Sequence, residues 1–325
     1  MKLLLTHTPI MRANYYGDRA LDGLLDLVDV KTHDQKQPLS PTDLIAAARD
    51  VDVIIADRQT TGPAEVFANL PGLKAFVRCA VDIRNIDVPA ASSVGVLVTQ
   101  ARPGFVESVT ELTIGFLIDL SRGISHASTR YHSGKVPKAI MGRQLSGGTI
   151  GIIGYGSIGR HLAPVSAALG MTVLVTDPHA SVEDTRFHQV PLAELLSSSD
   201  YVVCLAVATE ATENLMNATA FRQMKPDAVF INVSRGNLVD EAALGDALRD
   251  GTIAGAALDV GRAPDQMPTP ALAARLNVIA TPHIGGLTPP AIEAQALDTV
   301  EQVRELVGGK IPHGAVNARN WTRRL

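Results

Sequence analysis

Short apolar runs alternate with amphipathic stretches along the first hundred residues. Runs at 2–5, 28–31, 53–56, 74–79 and 96–98 have the length of buried strands. Between them, 18–27 reads as a helix and 40–48 as a second helix capped by Ser40. Strands that alternate with helices build parallel sheets. A longer helix follows at 107–125, apolar nearly all round and therefore expected to be buried. Its polar end leads into a stretch rich in Gly, Lys and Pro over 133–148, the best internal boundary on composition. The alternation then resumes, with strands at 150–153, 172–176, 201–205, 228–232, 255–258 and 278–280 and helices at 158–169, 192–197 and 241–249. A closing helix at about 290–308 lies beyond this second set, so the chain is expected to return to its first domain.

With 325 residues, 46% of them hydrophobic, the chain can bury two α/β cores. A net charge of −4 gives no electrostatic reason to expect nucleic acid or an anionic membrane, which leaves a small molecule as the expected partner. The first apolar run is too short for a signal-peptide core, and no run approaches the ~18 residues of a membrane span. Cys79 and Cys204 stand in separate apolar segments and offer neither a disulfide framework nor a zinc pattern. The histidines show no metal spacing. The expectation is a cytoplasmic protein with reduced thiols and no metal, whose tail after the closing helix is too short for a further regulatory domain.

One glycine-rich hexapeptide has both flanks that nucleotide binding requires. Gly154-Tyr155-Gly156-Ser157-Ile158-Gly159 follows an apolar strand and opens a helix. Glycine permits the tight turn and the close approach of backbone to a pyrophosphate, while the helix start supplies amide donors and a favourable dipole. Asp177 ends the next apolar run, where a carboxylate accepts hydrogen bonds from both ribose hydroxyls and repels a 2′-phosphate. NAD is therefore favoured over NADP.

Five further segments stand in a recognisable order: Asn85-Ile86-Asp87, Pro103-Gly104 with Glu111, Asn232-Val233-Ser234-Arg235-Gly236, Ala256-Ala257-Leu258-Asp259-Val260, and Thr281-Pro282-His283-Ile284-Gly285-Gly286. With the glycine motif they make the chain resemble the D-2-hydroxyacid dehydrogenase family over about residues 75–308. The resemblance implies an α/β protein of two Rossmann-like, doubly wound parallel-sheet domains with a cleft between them. Residues 1–100 plus 285–325 would form the substrate domain, and 101–284 the NAD-binding domain. It also implies a homodimer. Ala206, Ser234 and Asp259 fall at positions expected to face the cofactor, and Ala80, Val81, Asp82 and Arg84 in the loop expected to face the substrate.

Reduction of a 2-keto acid needs a hydride, a proton for the forming alkoxide, and a cation for the carboxylate and carbonyl. By the resemblance, Arg235 is the cation, its planar fork suited to both oxygens. His283 is the acid/base, imidazole being the side chain whose reference pKa of roughly 6.5 suits proton exchange near neutrality.

Three segments depart from the family's pattern. The glutamate that orients the histidine is expected in a segment that here reads Asp259-Val260-Gly261-Arg262-Ala263-Pro264-Asp265-Gln266, so Pro264 stands in its place. Asp265 takes the role if the loop is shifted; Gln266 could orient the ring by hydrogen bond; otherwise both are polar loop residues. In the substrate loop, Asp82 stands where a glycine is usual and Arg84 where an acid is usual. Arg84 either grips a second anionic or polar group on the substrate or pairs with Asp82. Finally, Ala206-Val207-Ala208 lacks the usual His-x-Pro beside the nicotinamide. The leading expectation is an NAD-dependent oxidoreductase acting on a small 2-hydroxy or 2-keto acid. The alternatives are oxidation of another small anion and an NAD(H)-binding sensor with weak or lost turnover.

Overall fold

Twelve strands, among the described residues 1–324 of the computed structural model, form two sheets in which every pairing between these strands is parallel. They belong to two units, Met1–Gly104 with Pro289–Leu325, and Phe105–Thr288. The first unit contains β1 (Lys2–Leu5), β2 (Asp29–Thr32), β3 (Val53–Ala56), β4 (Ala75–Arg78) and β5 (Leu97–Gln100), in the order β2-β1-β3-β4-β5. All residues of β3 and β4 are buried, because helices cover both faces of a doubly wound sheet. One face packs Leu3, Leu5, Val53 and Leu97 against Ala296, Val300, Val303 and Leu306 of the helix Pro289–Val307. The other packs Leu4, Ile54, Phe76 and Val98 against Leu44, Val66 and Phe67. The segment after that last helix is tied to the same unit. The Asn317 side chain accepts from Val98 N at 2.8 Å and donates to Val96 O at 2.9 Å, and Trp321 Nε1 donates to Lys74 O at 3.1 Å.

The second unit contains β6 (Thr149–Ile153), β7 (Thr172–Thr176), β8 (Phe187–Gln189), β9 (Tyr201–Cys204), β10 (Val229–Asn232), β11 (Gly255–Leu258) and β12 (Val278–Ala280). Their order, β12-β11-β10-β9-β6-β7-β8, reverses direction between β6 and β9, the switch point at which such sheets bind ligands beyond their carboxyl ends.

Several expectations need correcting. The stretch 133–148 is no boundary between units, since the long helix before it packs on the second sheet: Val109, Phe116 and Leu117 share a core with Ile150, Ile152 and Leu162. The chain changes unit at Gly104 and Thr288, a few residues beyond 100 and 284. The main-chain N–H of Arg102 donates to Asp298 Oδ2 at 3.0 Å inside the first unit, and Ser108 and Thr288 share a hydroxyl bond of 2.6 Å inside the second. The long helix runs Val106–Arg122, stops at Gly123 with φ 65, and is followed by Ile124–His132. It buries one side only, with Ile118 exposed.

The first unit's switch point lies between β1 and β3, and His7 sits there, 2% exposed. Its ring centroid is 5.0 Å from that of Tyr16, and its Nδ1 has no partner among the described residues. Burial pushes the imidazole from 6.5 down to about 4; Asp57 pulls it up, while Arg12 and Arg78 add to the fall. The folded state therefore binds this proton less readily than the unfolded chain, so stability is full above the unfolded pKa near 6.5 and is lost as pH falls toward 4. At ~1.4 kcal/mol per unit the loss is about 3 kcal/mol. In His7→Phe, urea unfolding followed by the fluorescence of Trp321, the one tryptophan, should show a correspondingly smaller loss between pH 6.5 and 4. An unchanged acid dependence would exclude His7 as its source.

Candidate active site

The carboxyl ends of six neighbouring strands in the second unit carry the expected residues in spatial order. Across the sheet stand His283 after β12, Asp259 after β11, Ser234 and Arg235 after β10, Ala206 after β9, Gly154–Gly159 after β6 and Asp177 after β7.

At the β6 end, Gly154 turns the chain with φ 101, and its N–H donates to Thr176 O at 2.8 Å. A Cβ on Gly159 would stand 2.3 Å from the carbonyl oxygen of Gly154, so the turn and the helix Ser157–Ala168 pack at a distance only glycine allows. Gly156 caps that helix with no side-chain hydrogen bond, and a Cβ there would meet nothing within 4 Å. The first-turn amides of Ser157 and Ile158 thus present an accessible donor set suited to a pyrophosphate. Asp177 accepts from Tyr155 N at 2.7 Å, from His179 N at 2.8 Å and from Ala180 N at 3.0 Å. Burial pushes its carboxyl up, and these amides outweigh burial and hold it below the usual carboxylate range. An ionised carboxylate held at the end of β7 fits the recognition of a ribose diol. These features match the chemistry of a dinucleotide.

At the β10 end, Asn232 organises the turn: its Oδ1 accepts from Ser234 N at 3.1 Å and its Nδ2 donates to Arg235 O at 3.0 Å. The Ser234 hydroxyl donates to Ala206 O at 2.7 Å and joins the ends of β10 and β9. The Arg235 guanidinium donates to Ser234 O at 2.7 Å. A Cβ on Gly236 would lie 2.1 Å from the carbonyl oxygen of Gly261, so this turn rests directly on the loop after β11.

Asp259, 2% exposed, accepts from Thr281 Oγ1 at 2.6 Å, Ile284 N at 2.8 Å and Gly285 N at 2.8 Å. These bonds hold the loop that carries His283. The expectation that the Asp265 carboxylate orients His283 is corrected: the atom 2.8 Å from His283 Nδ1 is the main-chain oxygen of Asp265. The Gln266 side-chain oxygen is buried without a partner among the described residues. Residues the sequence did not single out hold this loop. Arg262 donates to Glu213 Oε1 at 2.8 Å, Asn214 Oδ1 at 2.6 Å and Val239 O at 3.1 Å, and its own N–H donates to Glu241 Oε1 at 2.9 Å. No local pattern advertises them, because the partners lie some twenty to fifty positions away in the chain.

In the first unit, the loop after β4 carries Ala80, buried, and Val81, partly buried. Arg84 Nε lies 3.0 Å from Asp82 Oδ1 and its Nη2 2.6 Å from Asp82 Oδ2. Of the two readings of Arg84, the structure shows the pair with Asp82. The start of the loop is fixed by Arg78, fully buried, which donates to Thr60 O at 2.9 Å and Asn85 Oδ1 at 2.6 Å. Cys79 and Cys204 are free and buried, and burial pushes both thiols up to about 12, far from the thiolate a nucleophile needs.

Residues 114–285 match the family profile described as D-isomer specific 2-hydroxyacid dehydrogenase, NAD binding domain. The (S)-sulfolactate dehydrogenase of Chromohalobacter salexigens is 34% identical over 270 residues, 82% of this chain and 87% of that protein. The D-3-phosphoglycerate dehydrogenase of Mycobacterium bovis is 34% identical over 279 residues, 84% of this chain but 52% of its own, so the chain spans about half the length of that relative. Among solved structures, the TT0316 protein of Thermus thermophilus is 30% identical, with a TM-score of 0.86 over 97% of this chain and 100% of that one. With a profile match over more than half its length and a relative 34% identical over 82% of it, the chain belongs to the D-isomer specific 2-hydroxyacid dehydrogenase family.

Proposed function

We propose that this chain transfers a hydride between NAD(H) and a small 2-hydroxy or 2-keto acid, with His283 as acid/base and Arg235 as substrate anchor. The observation that carries this reading is that both residues follow strands of the same sheet, β12 and β10, whose β6 end bears the glycine turn. Gly154 to Gly159, Asp177, Ala206, Ser234 and Asp259 are the proposed cofactor contacts, and Ala80, Val81, Asp82 and Arg84 the proposed substrate loop. The second unit is then the nucleotide domain and the first the substrate domain. When bound, the nicotinamide supplies or accepts the hydride. Arg235 holds the carboxylate and polarises the carbonyl; His283 delivers a proton to the oxygen in reduction and removes it in oxidation. Asp177 accepts both ribose hydroxyls and sets NAD above NADP.

The names of the two relatives, 3-phosphoglycerate and sulfolactate dehydrogenases, describe 2-hydroxy acids with a second anion, and we extend that substrate class to this chain. A homodimer is proposed as well. In its support, Ile140 and Met141 of the second unit are 78% and 96% exposed in the stretch that follows the helix Ile124–His132, where Ile124 and Tyr131 are also exposed. Light scattering should read twice the chain mass.

The deciding assay follows NADH absorbance with pyruvate, glyoxylate, hydroxypyruvate, phosphohydroxypyruvate and 3-sulfopyruvate. Turnover with NADH at least about tenfold faster than with NADPH, strongest on a doubly anionic acid, is the expected result. The second reading, an NAD(H)-binding sensor, draws on the carbonyl that stands where a carboxylate would stabilise imidazolium. NADH binding with no turnover on any acid would select it.

A further inference from the structure

His283 Nδ1 lies 2.8 Å from the main-chain oxygen of Asp265. A carbonyl only accepts, so Nδ1 carries the hydrogen and donates it. That leaves Nε2 as the nitrogen whose proton comes and goes. We propose that the main-chain carbonyl of Asp265, and no side-chain carboxylate, positions His283 for proton transfer, in a turn that stands where the family resemblance implies a glutamate. The inference rests on the reading of His283 as acid/base.

The turn is built for this. Met267 N donates to Pro264 O at 3.2 Å, and the two residues between, Asp265 and Gln266, have φ 55 and 57. Positive φ at both central positions is the type I′ geometry, which Asp accepts more readily than most residues and Gln does not. Such conformations persist only where the surroundings impose them. Here Gly261 N donates to Gln266 O at 2.8 Å and Ala263 N to Met267 O at 3.0 Å, closing the loop on itself. Arg262 and Glu241 fix its base, and the backbone of Gly236 presses on Gly261 from the side of Arg235. The loop tip therefore delivers the carbonyl to one point.

His283 is held from the other side with comparable firmness. It too lies in the left-handed region, with φ 56, its N–H donating to Thr281 O at 2.9 Å. The carboxylate of Asp259 takes the next two amides, those of Ile284 and Gly285. Both partners of the ring's hydrogen bond are thus set by main-chain geometry. A carbonyl dipole orients the ring without a charge of its own to titrate, so orientation is independent of whether Asp265 is ionised.

The test compares Asp265→Asn, Asp265→Gly, Asp265→Val and His283→Ala in steady-state reduction of the best acid of the panel, with NADH affinity measured by fluorescence titration. Asn and Gly keep the carbonyl and tolerate the left-handed well, so kcat should stay within about threefold and the acid limb of the pH profile should not move. Val avoids that well, so kcat should fall at least about tenfold while the NADH Kd stays within about twofold. If Asp265→Val does not fold, Gln266→Val disturbs the second turn position and reads the same quantity. A tenfold loss in Asp265→Asn with a displaced acid limb would make the carboxylate the orienting group and overturn the proposal. So would wild-type kcat in the Val variants. Full activity in His283→Ala would instead remove the acid/base reading itself. Should no acid turn over, the ring nitrogen shifts of His283, assigned by their loss in His283→Ala, still decide. A hydrogen on Nδ1 in the neutral ring supports the proposal, and one on Nε2 overturns it.

Discussion

Replacing His283 by alanine is expected to lower kcat/KM for keto-acid reduction by about 10²–10⁴-fold, the usual contribution of a positioned acid or base. On the proposed reading, the alkoxide that forms on hydride arrival is a far stronger base than imidazole, and a proton on Nε2 would meet it without a solvent molecule having to find its place. The loss should fall mainly on kcat, since the group acts on charge that develops only in the transition state. NADH affinity should be preserved, because the glycine turn after β6 lies four strand positions from β12 in the sheet order. Added imidazole should restore part of the rate. Activity within about threefold of the parent would place the proton transfer elsewhere.

The second large effect is expected at Arg235, where lysine keeps the charge but loses the fork. A guanidinium presents two parallel N–H donors to a carboxylate or to the pair of oxygens on C1 and C2, whereas an ammonium is a compact point charge on a flexible stem. The turn that places Arg235 is rigid, with Asn232 bonded to its carbonyl and Gly236 seated on Gly261, so a shorter polar group cannot be followed by the backbone. We expect Arg235→Lys to lower kcat/KM by about 10²–10³-fold, comparable to removal of a preorganised oxyanion donor. KM for the keto acid should rise together with a fall in kcat, as carboxylate binding and carbonyl polarisation share one group. A change confined to kcat would mean that another residue holds the carboxylate.

The features legible in the sequence were those written in local terms. Continuous apolar runs such as 53–56 and 150–153, rich in Val and Ile, fit strands buried on both faces, and the hexapeptide at 154–159 couples a turn to a helix start within a few residues. Ser40 was readable as a cap, and its hydroxyl accepts from Asp43 N at 3.2 Å. The helices Pro9–Tyr15, Ala64–Asn69 and Val88–Ser93 were not read, although Pro41–Ala47 and Leu192–Ser198 are as short: fewer than two turns show no period by themselves. The three-residue edge strand β8 gave no signal for the same reason. At the site, Arg235 and His283 follow β10 and β12 as the apolar runs before them suggest, but which atom of Asp265 meets the ring depends on two backbone torsions. A side chain's name says nothing about the direction of its own carbonyl. The Arg262 contacts were likewise invisible, being set by a fold that brings residues 213, 239, 241 and 262 together.

The return of the chain to its first sheet has a consequence for the order in which the protein can be completed on the ribosome. Leu3, Leu5, Val53 and Leu97 share their core with Val300, Val303, Leu306 and Trp321. About two hundred residues separate the two halves of that core, so at synthesis rates of ~5–20 residues per second the first half waits roughly 10–40 s for its cover. The second unit, continuous from Phe105 to Thr288, has all its own strands in hand before then. The middle of the chain can therefore fold before its beginning, and the early β1, β3 and β5 are the segments that most need protection from wrong partners while they wait.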